Sequence, residues 1–337
     1  MSINQAQRQI EQGSALFLRA YAFLKCGATL RSPYDSATAA TDPGIPLRLS
    51  SNVTASSVRA SVAASYNQVI GDLQLASSLL PVAIPTQNPN RPSRPAVPAL
   101  LARIYLSIRA YSLARCYADS TLQLYDSLMD YNTLNPQSLF PFSNTNAEIL
   151  YQSNILEYTE CLAAIAYPNT IVDSTFYGSY APQDLRRSLF YQLNANGQLN
   201  MTSGYAQLIW PFTGLATDEL YLIRAECAAR TGSSDAAMAD LNTLLLHRYV
   251  TGTFTTITLS TTTQALDTIL TERRKEMPFR GVRWFNLRRL NQEGRNIIPL
   301  RILNGIRYQL LLNSNLYTLP IPPDVIADNP SMIQNPR

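Results

Sequence analysis

Lysine is almost missing from this chain: only Lys25 and Lys275 occur, so the net charge of +4 rests almost wholly on arginine. The arginines are scattered rather than gathered in a tail or arm, which argues against a nucleic-acid-binding protein. Histidine occurs once, as His247. A His-rich metal site is thereby excluded, and a cysteine nucleophile is left without its usual base. The four cysteines, Cys26, Cys116, Cys161 and Cys227, show no C-x-x-C spacing. Three of them fall within apolar helical patterns and are expected to pack as small buried hydrophobes. No apolar run approaches the ~20 residues that span a bilayer, and the first residues, MSINQAQRQIEQ, are polar, so neither a transmembrane helix nor a signal peptide is read. A Gly-rich phosphate loop and a G-x-S-x-G nucleophile motif are also lacking. No cofactor is expected.

Against these absences stands an ample supply of apolar residues. With 46% of 337 residues hydrophobic and 15% charged, the chain is long and apolar enough to bury a large core. One large domain and two intimate ones fit that composition equally.

The stretch Leu266–Leu290 is the most informative. Leu266, Ile269, Leu270 and Met277 keep helical spacing on one face, and Pro278 ends that helix because it has no N–H to donate. Gly281 eases the turn, and Phe279, Val282 and Phe285 then recur every three residues beside Trp284 and Leu287. Six arginines sit among these aromatics. A guanidinium stacks on rings and clamps carboxylates, so the apolar interleaving favours an internal Arg/Glu/aromatic lock over an anion-binding surface. Glu272 and Glu276 are the nearest carboxylate partners for Arg283 and Arg288.

Further helices are expected over 3–25, 56–80, 96–108, 111–128, 217–231, 234–249, 264–277 and 282–290. Ser56-Ser57 is placed to cap the second. Ala102 and Ala114 stand twelve residues apart, as do Ala225 and Ala237, and such small residues let antiparallel helices approach closely, as in tetratricopeptide repeats. Phe140 to Phe212 differs in kind: 13 aromatics fall in 73 residues, with no lysine.

ERRKEMPFRGVRWFNLRR resembles the C-terminal motif of the SusD/RagB family, surface glycan-binding lipoproteins of Bacteroidetes, whose pattern runs roughly ERR-x-E-x-x-F-x-G-x-R-W-x-D-L-R-R. The departures are Arg280, where the family usually has an acid, and Asn286, where it has Asp. Phe17-Leu18-Arg19-Ala20-Tyr21, Gly44-Ile45-Pro46-Leu47, Asn146 to Tyr151, Asp184-Leu185-Arg186 and the closing P-I-P…N-P…Q-N-P pattern are also similar to the family's.

The resemblance implies a mainly α fold of tetratricopeptide-like hairpins in a right-handed superhelix, one domain over 1–337. The helical scaffold would occupy about 1–130 and 217–290, a loop-rich insert 131–216, and an irregular tail 291–337. It also implies a chain truncated at its front, tethered to the outer face of the outer membrane by an N-terminal lipid, that hands glycan to a SusC-like TonB-dependent transporter.

Sugars need aromatic faces for their C–H surfaces and polar side chains for their hydroxyls. Tyr34 and Asp35, from the loop Arg31–Ser50, and Tyr158, Tyr167, Tyr177, Tyr180 and Trp210, from the aromatic segment, are therefore the expected ligand contacts. A glycosidase would need only two carboxylates across a cleft, and Glu157, Glu160, Asp173 and Asp184 fall in that segment, but Asp184 sits in a scaffold motif. The alternative function is a helical-repeat scaffold binding a peptide in a polar concave face. The Ala/Leu/Tyr-rich helices disfavour it.

Overall fold

The computed structural model describes residues 4–52, 54–155, 171–207 and 210–337. In chain order the elements are α1 (Gln5–Leu30), β1 (Pro43–Pro46), β2 (Arg59–Ser61), α2 (Val62–Leu79), α3 (Ala96–Ser107), α4 (Tyr111–Leu124), β3 (Ile149–Tyr151), α5 (Ser174–Gly178), α6 (Arg186–Phe190), β4 (Tyr191–Leu193), β5 (Leu199–Met201), β6 (Leu215–Ala216), α7 (Thr217–Arg230), α8 (Ser234–Leu246), α9 (Thr262–Glu276), α10 (Arg283–Gln292), β7 (Leu300–Leu303), β8 (Ile306–Gln309) and α11 (Pro323–Asp328). The fold is mainly helical. Among the described residues the strands form only two-stranded antiparallel pairs: β1–β2, β3–β6, β4–β5 and β7–β8.

The chain divides into two compact units. The first comprises 1–80, 107–109 and 284–337, and the second 81–106 and 110–283.

In the first unit α1 packs along α2. Asn4 caps α1 by accepting from the Gln7 N–H at 2.8 Å. Gly13 lets the helices close, since a Cβ there would stand 2.8 Å from that of Leu79. A two-pronged bond from Arg19 to the buried Asp72, at 2.7 and 2.6 Å, ties the pair at mid-length. The second helix begins at Val62, not near residue 56. The preceding residues pair as β2 with β1, and Ser61 is the cap, accepting from the Ala64 N–H at 3.1 Å.

The end of α1 is where remote segments converge. The last carbonyls of a helix have no partner within it. Here Arg288 donates to the carbonyls of Ala28 and Arg31, the Leu319 N–H to that of Thr29 at 2.7 Å, and Arg59 and Asn335 to that of Leu30 at 3.1 and 3.0 Å. Arg59 also donates to Gly44, Pro43, Ile333 and the Asn335 side chain. The region expected to be an irregular tail therefore holds structure: a hairpin, a short helix and a Gln334–Asn335 clasp on Ile321, Leu319 and Leu30.

In the second unit α7 is the central helix, packed by α4, α8 and α9. Ala102, Ala114, Ala225 and Ala237 are all fully buried, consistent with their expected role at close helix approaches. The cysteines differ from expectation: Cys227 is buried on α7, whereas Cys26 and Cys116 are exposed. Each of the exposed two lies two residues from buried neighbours on either side, Leu24 and Ala28 or Ala114 and Ala118, which puts it on the opposite side of its helix. Cys161 lies outside the described residues.

Candidate ligand-binding site

The segment expected to present aromatics to a ligand uses most of them as a core. Eleven of its thirteen aromatics lie among the described residues; seven are buried, four are partly buried and none is exposed. Phe142 contacts Tyr131, Phe190 and Tyr205 at ring separations of 5.0–5.8 Å, and Tyr205 continues to Phe212. β3 pairs with β6, whose next residue begins α7, so the segment is anchored directly on the central helix.

Beneath the rings lies a buried ionic network. Arg186 bonds Asp184, Glu272 and Glu276 at 2.6–2.9 Å, and Arg248 bonds Glu276 and Glu148 at 2.7 and 2.8 Å. Arg103 and Arg273 share Glu219, Lys275 takes Glu272, and Arg280 takes Asp218 at 2.9 Å. Six acids thus face six bases, a neutral set that offsets much of the cost of burying each charge. Rings complete it: the Arg248 guanidinium lies 4.0 Å from the Tyr131 centroid, and that of Arg280 lies 4.5 and 4.6 Å from Tyr205 and Phe212.

Burial opposes ionisation of Glu219, yet Arg103 and Arg273 hold its carboxyl down at about 2. Glu148 goes the other way: burial raises it to about 7 despite Arg248. The lock expected around α9 and α10 is therefore internal, but with different partners. Glu272 and Glu276 serve Arg186, Arg248 and Lys275, while Arg288 serves the open carbonyls at the end of α1. Trp284 and Phe285 are half-buried, and the Trp284 ring N–H donates to the Tyr317 carbonyl at 3.1 Å.

Residues 2–106 match a SusD-like family model described as starch-binding and associating with the outer membrane, and residues 217–337 match the SusD family model. The chain belongs to the SusD/RagB family. No curated protein is significantly similar to it in sequence. Its fold is that of solved SusD-like structures. These include a SusD superfamily protein of Bacteroides vulgatus, with TM-score 0.79 and 22% identity, covering 100% of this chain and 79% of the other. A putative sugar-binding protein of the same species aligns with TM-score 0.78 and 23% identity, covering 100% and 80%. Surface glycan-binding protein A of Bacteroides uniformis aligns with TM-score 0.72 and 16% identity, covering 99% and 79%.

Where the SusD/RagB motif carries an acid, Arg280 finds its counter-charge in Asp218, and the departure at Asn286 leaves an acceptor for Arg289 at 3.2 Å. SusD family proteins are outer-membrane-associated surface proteins. Among the described residues no helix is long and apolar enough to cross a membrane.

The seven expected contacts fare differently. Tyr180 is a core residue: it is 2% exposed, and its hydroxyl donates to the Lys275 carbonyl at 2.8 Å and meets that of Tyr191 at 3.0 Å. It was expected outside because Tyr, unlike Phe, gives no sequence sign of which side it faces. Tyr177, three residues earlier, stays half-open, with the Arg187 guanidinium 4.7 Å from its centroid and Tyr191 edge-on. Trp210 is also partly exposed. Tyr158 and Tyr167 lie outside the described residues. Tyr34 and Asp35 belong to the first unit, where Tyr34 meets Tyr66 edge-on at 5.4 Å and Asp35 caps its own turn, accepting from the Ala37 N–H at 2.9 Å.

One feature of the second unit escaped the sequence reading, an open cavity of about 360 Å³. Val82, Ile84, Pro89, Pro95, Leu124 and Ile149 form apolar walls, and Thr86, Tyr125, Asn144, Thr145 and Asn146 bring hydroxyls and amides. Its rim is stiff. Asn146 donates to the Tyr205 carbonyl at 3.1 Å and accepts from the Glu148 N–H at 2.9 Å, and the Tyr125 hydroxyl donates to the Ala147 carbonyl at 2.6 Å. In the sequence its walls are far apart: a Pro/Asn/Arg-rich loop at 81–95, the end of α4, and the motif that begins at Asn146.

Proposed function

We infer that this protein binds a glycan at the cell surface and delivers it to a SusC-like TonB-dependent transporter, held at the outer membrane by a lipid as the family resemblance implies. It acts by binding, not by catalysis. The observation that carries the reading is the cavity of the second unit: its lining holds no charged side chain, and it joins apolar walls to a rim of amides and hydroxyls. That is the chemistry of a sugar ring, with apolar C–H faces and neutral hydroxyls, and it suits neither a phosphate nor an acidic peptide. Tyr177 and Trp210, which do not line the cavity, are the proposed stacking platforms elsewhere in the second unit, and Tyr34 and Asp35 are a separate proposed contact in the first. The scaffold alternative is disfavoured by composition, because the helices are rich in Ala, Leu and Tyr, and the central helix α7 is itself buried along nearly its whole length.

A glycan array identifies the ligand, and calorimetry on it then compares Ala83→Trp, which fills the cavity, with Trp210→Ala and Tyr177→Ala. Loss in the first alone places the sugar in the cavity, and loss in the other two places it on the aromatics. Unchanged affinity in all three removes the site from this unit. The transporter is tested by purification from native membranes: a copurifying barrel is expected, and its consistent absence overturns that part.

A further inference from the structure

The hairpin β7–β8 is a class of surface that the glycan reading does not use. Its four cross-strand pairs are Leu300 with Gln309, Arg301 with Tyr308, Ile302 with Arg307, and Leu303 with Ile306. The strands are joined by Asn304-Gly305, with φ of 50° and 77°, the left-handed pair that a tight two-residue hairpin turn demands. All eight strand residues are exposed. Leu300, Ile302, Leu303, Ile306 and Tyr308 each show between 46% and 66% of their surface, and Leu311 just beyond shows 62%. So dense a cluster of open aliphatic side chains is unusual on a protein that meets only water, and an isolated two-stranded hairpin is itself marginally stable there.

Two further observations say what covers it. First, side chains alternate across a strand, so Leu300 and Ile302 occupy one face while Leu303, Ile306 and Tyr308 occupy the other. A flat protein partner would cover one face and leave the other wet. An environment that surrounds the hairpin covers both. Second, residues 294–323 contain Arg295, Arg301 and Arg307 and no acidic residue. Arg307 and Arg301 lie one and two pairs behind the apolar tip pair Leu303–Ile306, with Tyr308 opposite Arg301. An apolar wedge backed by arginines and a tyrosine is the arrangement that settles at an anionic bilayer interface, rings and charges at headgroup level. The unpaired outer edges of both strands keep the insertion shallow, because N–H and C=O groups there need interfacial water.

We propose that β7–β8 is a membrane-contact wedge that inserts its tip into the headgroup region of an anionic bilayer. It is a contact additional to any lipid anchor and independent of the glycan site.

The test is co-sedimentation of the full chain with vesicles of phosphatidylglycerol and phosphatidylcholine in equal parts, against phosphatidylcholine alone. The chain pellets with the anionic vesicles. Replacing both tip residues, Leu303→Asn with Ile306→Asn, weakens this about tenfold or more by removing the buried apolar surface. Arg301→Gln with Arg307→Gln weakens it by roughly fivefold per arginine and flattens its salt dependence. A Tyr308→Trp reporter shifts its emission to the blue on anionic vesicles only. Unchanged circular dichroism and glycan affinity in the variants separate this result from misfolding and from the glycan reading. Failure of the parent chain to pellet, or equal pelleting of the tip variant, overturns the proposal. If the tip variant instead loses a membrane protein that the parent retains, the hairpin is a protein-docking surface and the bilayer reading falls.

Discussion

Residues 140–212 and residues 297–311 are both rich in apolar side chains, yet the described aromatics of the first turn inward while the aliphatic side chains of the second turn out. The difference is in what each segment has to pack upon. The first runs onto α7 through β3 and β6 and lies over the network of six acids and six bases, so its rings exclude water from that network and are themselves held in place. In the second the two strands pair with each other, and all eight strand residues are exposed. Apolar composition therefore reports that a segment needs a non-aqueous partner, and only tertiary context says whether that partner is the chain's own core.

The contrast sharpens under matched truncation. Phe142→Ala should cost about 3–5 kcal/mol of stability in denaturant titration, while Ile302→Ala should stay within roughly 0.5 kcal/mol. Equal costs would mean that the hairpin is packed after all. Removing a charge beneath the first segment is comparably severe: Arg248→Met leaves Glu148 and Glu276 buried without their cation and should destabilise the second unit by about 3–5 kcal/mol.

Within the aromatic segment, exposure should separate binding from scaffolding. Trp210→Ala or Tyr177→Ala should weaken glycan binding about tenfold with little change in melting temperature. Tyr180→Phe should leave binding unchanged and cost about 1 kcal/mol of stability, the worth of its hydrogen bond to Lys275. The reverse pattern would return Tyr180 to the site.

A pH dependence with opposed contributions follows from two buried carboxyls. Glu219 drops from an ordinary 4.5 to about 2 on folding, so its contribution is present above pH 4.5 and is lost as the pH falls toward 2. Glu148 rises to about 7, so folding takes up a proton and that contribution fades as the pH climbs from 4.5 through 7. Melting temperature should thus fall on both sides of mildly acidic pH, and Glu148→Gln should flatten the upper side.

Helices were legible because apolar spacing and small-residue pairs are local signals. All eight expected helices are present, and α2 starts later than expected because Arg59–Ser61 pairs as β2 with β1, which leaves Ser61 rather than Ser56 or Ser57 to cap the helix. The ionic lock was legible as a composition but not as a wiring diagram: Glu272 meets an arginine 86 residues away and Glu276 one 28 residues away. The site was the least legible part. A tyrosine carries both a ring for a core and a hydroxyl for a surface, and Tyr177 and Tyr180 took different sides within one turn of helix. The β7–β8 hairpin carries a local signature, Asn304-Gly305 between two apolar runs, within the stretch expected to be an irregular tail.

The end of α1 has a consequence for how the chain is made. The carbonyls of Ala28, Thr29 and Leu30 and of the cap residue Arg31 are satisfied by Arg59 and by groups between Arg288 and Asn335, and the two portions of the first unit are separated by about two hundred residues of the second. During synthesis the second unit has all its strands and helices in hand while the first still waits for its closing segment. The carbonyls of Ala28, Thr29 and Arg31 therefore stay without these partners until residues 288–319 have been added, so the first unit closes only after the second has all of its chain.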